Sequence, residues 1–174
     1  MTLQTGCSAS LVGLHEACQA LYSRDCCSAI VAGTNLMFAP TMTATMSDNT
    51  VMSPTGTCRT FDEAADGYGR GEGVNALYVK RLEDAIRDND PIRAVIRATS
   101  TNCDGHTPSI TTPGSHSQEA LVRWAYKKAG ISDITQTGFF ECHGTGTVAG
   151  DTAEASVVAK LFEGKGIIMG AVCL

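Results

Sequence analysis

Apolar and polar residues follow one another in two different rhythms along this chain, and the switch between them outlines its elements. Residues 8–23, SASLVGLHEACQALYS, place Leu11, Leu14, Cys18 and Leu21 three or four apart. That is one face of a helix, and the serines at its start suit an N-cap. The few residues before Cys7 read as a short apolar strand that turns into this helix. SAIVAG (28–33) is a short continuous apolar run between polar residues, the pattern of a buried strand. VNALYVKRL (74–82) reads as another strand, and EDAIRDND as a helical turn that stops before Pro91. IRAVIRATSTN (92–102) alternates as a strand does, and SHSQEALVRWAYKKAG (115–130) is an amphipathic helix closed by Gly130. TGFFECH, GDTAEASVVAKLF and GIIMGAV then read as strand, helix and strand.

Between the strands at 28–33 and 74–82 lies a long polar stretch, roughly 39–73, punctuated by glycine and proline. A connection of that length in a compact domain is usually functional or engaged in contacts. Strands alternating with helices define the α/β class, with a largely buried sheet expected. There is no internal repeat and no low-complexity linker. The first strand is very short and the last runs to the end at Leu174, so both ends read as cut through a larger sheet.

Composition narrows the picture. The length of 174 residues fits one domain. Hydrophobic residues make up 43% and charged residues 18%, with mean hydropathy of +0.00, as in globular proteins. No apolar run approaches a bilayer span, so no membrane association is expected. The start, MTLQTGCSAS, lacks the basic and apolar regions of a signal peptide, which points to a cytoplasmic protein. The net charge of −5 and scattered basic residues argue against a nucleic-acid partner. The cysteines (7, 18, 26, 27, 58, 103, 142 and 173) show no C-x2-C spacing, and the histidines no H-E-x-x-H, so no metal is expected. A chain this rich in helix and strand patterns does not need a disulfide framework. Most of its cysteines are expected to be small buried hydrophobes in a reducing compartment.

Cys7 is the exception. It sits at a strand-to-helix turn, with Gly6 to relieve a tight backbone and small residues Ser8, Ala9 and Ser10 to leave access. A helix N-terminus favours the thiolate by about 0.3–1 kcal/mol, or about 2 when partly buried. At about 1.4 kcal/mol per pKa unit, a thiol starting near 8.5 would still be mostly protonated at neutral pH. A working nucleophile needs a partner, most simply a histidine; otherwise Cys7 is a packed structural cysteine.

FFECHGTGTVAGD supplies a candidate. His143 ends an apolar strand and opens onto Gly144, Thr145, Gly146 and Thr147, where an α/β sheet places ligands. The competing reading is a core histidine bonded to backbone. Gly144, Gly146 and Ala149 also fit a relaxed dinucleotide fingerprint with Glu163 downstream, but the chain stops before a complete unit with an acid after its second strand. GYGRGEG fails the same pattern at Glu72, and no lysine follows a glycine run as in a P-loop. His15 reads as part of a packed helix face, and His106 and His116 as solvated loop residues.

Taken together, TGCSASL, MSPTGTCRTFDEAADGYGRGEG, DPIRAVIRAT, NCDGHTPSIT and ECHGTGTVAGDTAEA resemble the β-ketoacyl synthase domain of type I polyketide synthases, in order and across nearly the whole chain. The resemblance implies a thiolase-like layered α-β-α-β-α fold, present only in part. Residues of about 1–90 would be the end of the first half and about 91–174 the start of the second. It implies Cys7 as the nucleophile that carries the acyl chain, and His143 as the first of two catalytic histidines, promoting decarboxylation of a malonyl-type extender. It implies Thr145 and Thr147 as contacts for the phosphopantetheine arm of an acyl carrier protein, and Glu154 as a supporting acid that pairs with a lysine in the family. No cofactor is bound directly on this reading. The partners are the carrier protein, acyl and malonyl thioesters, and a second copy in a homodimer. The thiol and imidazole must face a common acyl pocket.

Departures accompany the likeness. The family's second histidine lies in an N-I-G-H segment that would follow Leu174, and Cys173 stands where its lysine is expected. Gln4 replaces an aspartate often found before the nucleophile. The alternatives are an inactive remnant that at most binds acyl chains or a partner, a ketosynthase of fatty acid synthase type, and a thiolase-like enzyme acting on acyl-CoA. The last fits HGTGT least well.

Overall fold

A computed structural model describes residues 1–48, 51–109 and 111–172. In chain order the elements are α1 (Ala9–Tyr22), β1 (Ser28–Asn35), α2 (Thr41–Asp48), β2 (Gly73–Lys80), α3 (Leu82–Arg87), α4 (Ser115–Lys128), β3 (Phe140–Cys142), α5 (Val148–Leu161) and β4 (Met169–Ala171). They fall into two compact units. One joins Met1–Leu36 to Glu72–Thr101; the other joins Met37–Gly71 to Asn102–Leu174.

In the first unit β1 and β2 pair antiparallel, from Ser28 opposite Lys80 to Asn35 opposite Gly73. One face lies against α1 with little room: a Cβ on Gly13 would stand 3.3 Å from Val31 Cγ1, and one on Gly33 3.2 Å from Ser10 Cβ. The other face is open. Ile30 and its cross-strand neighbour Tyr78 are 74% and 63% exposed. The expected buried sheet is therefore covered on one face only among the described residues. A continuous apolar run shows that a strand can be buried twice over, not that its own chain supplies both covers. Arg81 closes the unit by donating from one guanidinium nitrogen to the carbonyls of Leu21 (3.1 Å) and Cys26 (2.8 Å) at the end of α1. Lys80 bridges Asp88 (2.5 Å) and Asp90 (2.7 Å) just beyond α3.

Two expected strands are absent. Residues 1–5 are irregular and lead through a short 3-10 turn, Gly6–Ser8, straight into α1. Residues 92–102 also form no strand. A strand exists through its ladder, and neither segment has a paired neighbour among the described residues. The second is tied instead to α1 by a 2.8 Å bond between Thr99 Oγ1 and His15 Nδ1, so His15 serves packing as expected. Conversely, α2 lies inside the stretch that reads as loop. Its threonines are poor helix formers and mask Met42 and Met46, which are spaced one turn apart.

The second unit is built on a β3–α5–β4 crossover. The two strands are parallel, with Phe140 opposite Met169 and Cys142 opposite Ala171. Cys142, Val157, Val158, Leu161 and Phe162 form the buried cluster, with Val122 of α4 and Ile134 packed on it. Each strand is shorter than its apolar run, because only three residues find a partner. Helix α4 ends as its sequence indicates. Gly130 takes a φ of +67°, and its N–H bonds the Lys127 carbonyl at 3.1 Å.

Candidate active-site residues

Cys7 lies in the first unit, exposed, in the 3-10 turn that precedes α1. Gly6 adopts a φ of +71°, and a Cβ there would meet nothing within 4 Å, so the backbone angle rather than crowding calls for glycine. The Ser8 hydroxyl donates to the Thr5 carbonyl at 3.0 Å and closes the turn around the cysteine. Cys7 thus lies two residues before the first residue of a fourteen-residue helix. The seven described cysteines are all thiols, and Cys27 and Cys103 are exposed as well. Cys173 lies outside the described residues.

His143, Thr145, Thr147 and Glu154 come together in the second unit, at the carboxyl end of β3. Parallel strands linked by a helix leave their carboxyl ends open to a ligand, and His143 is exposed there. The loop is held by its own helix. Glu154, in the second turn of α5, accepts the N–H of His143 at 2.7 Å with one oxygen and that of Gly144 at 2.8 Å with the other. Thr147 caps α5 by accepting from the N–H of Gly150 at 3.3 Å, and its hydroxyl meets that of Thr145 at 2.9 Å.

Sequence reasoning missed four contributors. Asp151, 6% exposed, accepts the N–H of Gly146 at 3.0 Å and that of Phe61 at 2.7 Å. Thr60 donates its hydroxyl to the Gly144 carbonyl at 2.5 Å, and the Gly67 N–H bonds the Gly146 carbonyl at 2.9 Å. The long polar stretch therefore makes contacts, as its length suggested. Only Asp151 left a signal: an acid in the first turn of a helix behind a threonine cap. The glycines follow from crowding. At Gly144, φ +56°, a Cβ would lie 2.3 Å from that of Ala171 and 2.6 Å from Thr60 Cγ2.

These bonds dispose of the dinucleotide fingerprint. The glycine pattern does lie between a strand and a helix, as that fingerprint requires. Yet the N–H groups of His143, Gly144 and Gly146 already bond carboxylates, and that of Gly150 bonds the Thr147 hydroxyl. A pyrophosphate would have to displace two acids of its own sign. Cys142, next to His143, is no rival nucleophile: it is 2% exposed, and burial, with Glu154 and Asp151 nearby, pushes its thiol up to about 11. His106 and His116 are exposed as expected, but His116 lies in the first turn of α4 and not in a loop. Among the described residues no cluster of histidine, cysteine and acids could hold a metal ion, and no helix is long and apolar enough to cross a membrane.

The fold is that of the thiolase-like class. The sequence pattern of the β-ketoacyl synthase N-terminal domain matches residues 1–85, and that of its C-terminal domain matches residues 93–172. Solved structures agree on the fold. A ketosynthase from module 6 of the bacillaene synthase of Bacillus subtilis gives a TM-score of 0.93 at 38% identity, covering 98% of this chain and 32% of that one. An oxazolomycin ketosynthase domain from Streptomyces albus gives 0.92 at 34%, covering 99% and 30%. Among curated relatives, the highly reducing polyketide synthase gloL of Glarea lozoyensis is 56% identical over 172 residues, and VdtX of Byssochlamys spectabilis 55% over 164. The alignments cover 98% and 94% of this chain but only 7% and 8% of those relatives. The chain belongs to the β-ketoacyl synthase family, and it is part of a ketosynthase domain of the polyketide synthase kind.

Proposed function

We propose that this chain carries the nucleophile and one catalytic histidine of a condensing enzyme that extends polyketide chains. Residues of about 1–90 then close the first half of the domain and about 91–174 open the second. Cys7 attacks an acyl thioester. Its sulfur gains the acyl group, the donor's thiol leaves with the proton that Cys7 gives up, and the backbone N–H of Cys7 meets the developing oxyanion. His143 donates to the carbonyl oxygen of a malonyl thioester. Carbon dioxide departs, the enolate attacks the acyl carbon on Cys7, and the cysteine thiolate is released as the β-ketoacyl thioester forms. Both steps act on one acyl chain, so the chemistry requires thiol and imidazole to serve it together.

Thr145 and Thr147 are assigned to the phosphopantetheine arm of an acyl carrier protein. Thr145 is the freer of the two to turn outward, since the Thr147 hydroxyl also caps α5. Glu154 supports His143 through its backbone. The working state is a homodimer in the cytoplasm.

The observation that carries this reading is the pinned loop. Glu154 fixes the N–H groups of His143 and Gly144 and Asp151 that of Gly146, which holds the imidazole's attachment point still, as a preorganised donor requires. The test is release of labelled carbon dioxide from a malonyl thioester. The reading predicts release that drops at least about 100-fold in His143→Ala; release unchanged by that substitution, or none from the unsubstituted chain, rejects it.

A further inference from the structure

The segment Arg59–Phe61 lies far from His143 in sequence and carries none of the chemistry above, yet it grips the loop that follows the histidine. Gly144 is held on both of its peptide groups. Its N–H is bonded to Glu154 from the α5 side, and its carbonyl receives the Thr60 hydroxyl from the opposite side at 2.5 Å. The same segment is anchored twice more. The Phe61 N–H bonds Asp151, and Arg59 bonds Asp66 at 3.0 Å across the turn. Phe61 itself has a φ of +59°, a conformation that a non-glycine residue keeps only where its surroundings insist on it. Asp151, which joins both segments, is that constraint.

Glu154 fixes the two N–H groups of residues 143 and 144, and Asp151 that of Gly146, but neither reaches the Gly144 carbonyl between them. The Thr60 hydroxyl does. We propose that Thr60 is a positioning residue for His143: through the Gly144 carbonyl, its hydroxyl holds the backbone from which the imidazole projects. Its catalytic consequence rests on the condensing function proposed above; the positioning itself does not.

The discriminating experiment compares Thr60→Val, which keeps the shape and removes the hydroxyl, with Thr60→Ser, which restores it. Hydrogen exchange and the imidazole nitrogen resonances are read in the full 174-residue chain. In Thr60→Val the amides of His143 and Gly144 should exchange about 2–10-fold faster, as loss of one hydrogen bond implies. The His143 imidazole resonances should move, while the amides of Val157 and Val158 in the core stay protected. Thr60→Ser should return both signals to their original values. An imidazole that ignores Thr60→Val, or responds equally to both substitutions, overturns the proposal. If Thr60→Val does not fold, the Gly144 carbonyl carbon of the unsubstituted chain decides: a shift downfield of the random-coil position upholds the bond, and a random-coil value removes it. An imidazole that responds to Thr60 in a chain releasing no carbon dioxide from a malonyl thioester rejects the condensing function and keeps the positioning role. Release with an indifferent imidazole does the reverse.

Discussion

Asp151→Asn is the sharpest probe of how the histidine loop is built. Asp151 is buried, and each of its oxygens accepts one backbone N–H, from Gly146 and from Phe61. Asparagine has one such oxygen. Whichever way its amide turns, an NH2 faces an N–H, so one bond is lost and a donor is stranded next to a donor. Hydrogen bonds to a charged group contribute about 1.5–3 kcal/mol, and a stranded buried donor costs about 1–3 kcal/mol. Burying a neutral amide instead of a carboxylate recovers part of this. Relaxation of Phe61 from its left-handed conformation recovers about 1–2 kcal/mol more at most. A net loss of about 2–4 kcal/mol follows, a large fraction of a typical domain's stability. Urea unfolding monitored by circular dichroism measures it, and an unchanged m-value keeps the comparison valid. Glu83→Gln, which breaks the exposed Arg24–Glu83 pair, is the control and should leave the midpoint nearly unmoved. If Asp151→Asn costs less than about 1 kcal/mol, the carboxylate is not what holds the loop.

Gly144→Ala should cost about 1–2 kcal/mol for its backbone angle and about 1–3 kcal/mol for the clash with Ala171 and Thr60, whereas Gly130→Ala, with open space around it, should show only the first of these; equal losses would refute the packing argument. The buried thiol of Cys142 makes alkaline stability asymmetric. Its folded pKa, about 11, lies above the unfolded value of 9.0, so its contribution is complete below pH 9 and is lost between the two. Against Cys142→Ala, the unsubstituted chain should lose about 2–3 kcal/mol more across that window; parallel curves would contradict the assignment. Val158→Ala, at a position 1% exposed in the centre of the second unit's core, should cost about 2–3 kcal/mol in the same urea assay, and a loss near zero would mean the β3–α5–β4 core is not packed as described.

Most of the helices were readable because they carry a signal of their own, such as the apolar spacing in α1 and the closing glycine after α4, whereas the threonines of α2 hid it. The strands were readable only as segments that could pair. The apolar run of 28–33 found its partner in β2, but 92–102, read as a strand from its alternation, found none among the described residues. Alternation records which faces a segment offers; pairing depends on what stands beside it. The same limit separates the site residues. His143, Thr145, Thr147 and Glu154 are close in sequence, and their placement in one loop and one helix turn follows from a strand running into a capped helix. Thr60 and Phe61 act through a hydroxyl and a backbone N–H more than eighty residues away. Nothing in their local pattern encodes that contact, because every residue but proline has an N–H and any threonine a hydroxyl.

The central claim is that the thiol beside the first helix is the chain's acyl carrier, and selective acylation measures it directly. Cys7, Cys27 and Cys103 are all exposed, so accessibility alone gives none of them an advantage. A limiting amount of a short acyl thioester, followed by peptide mapping, should place the acyl group on Cys7 well ahead of the other two and lose that signal in Cys7→Ala. Equal labelling of Cys7, Cys27 and Cys103, unaltered by that substitution, would contradict it.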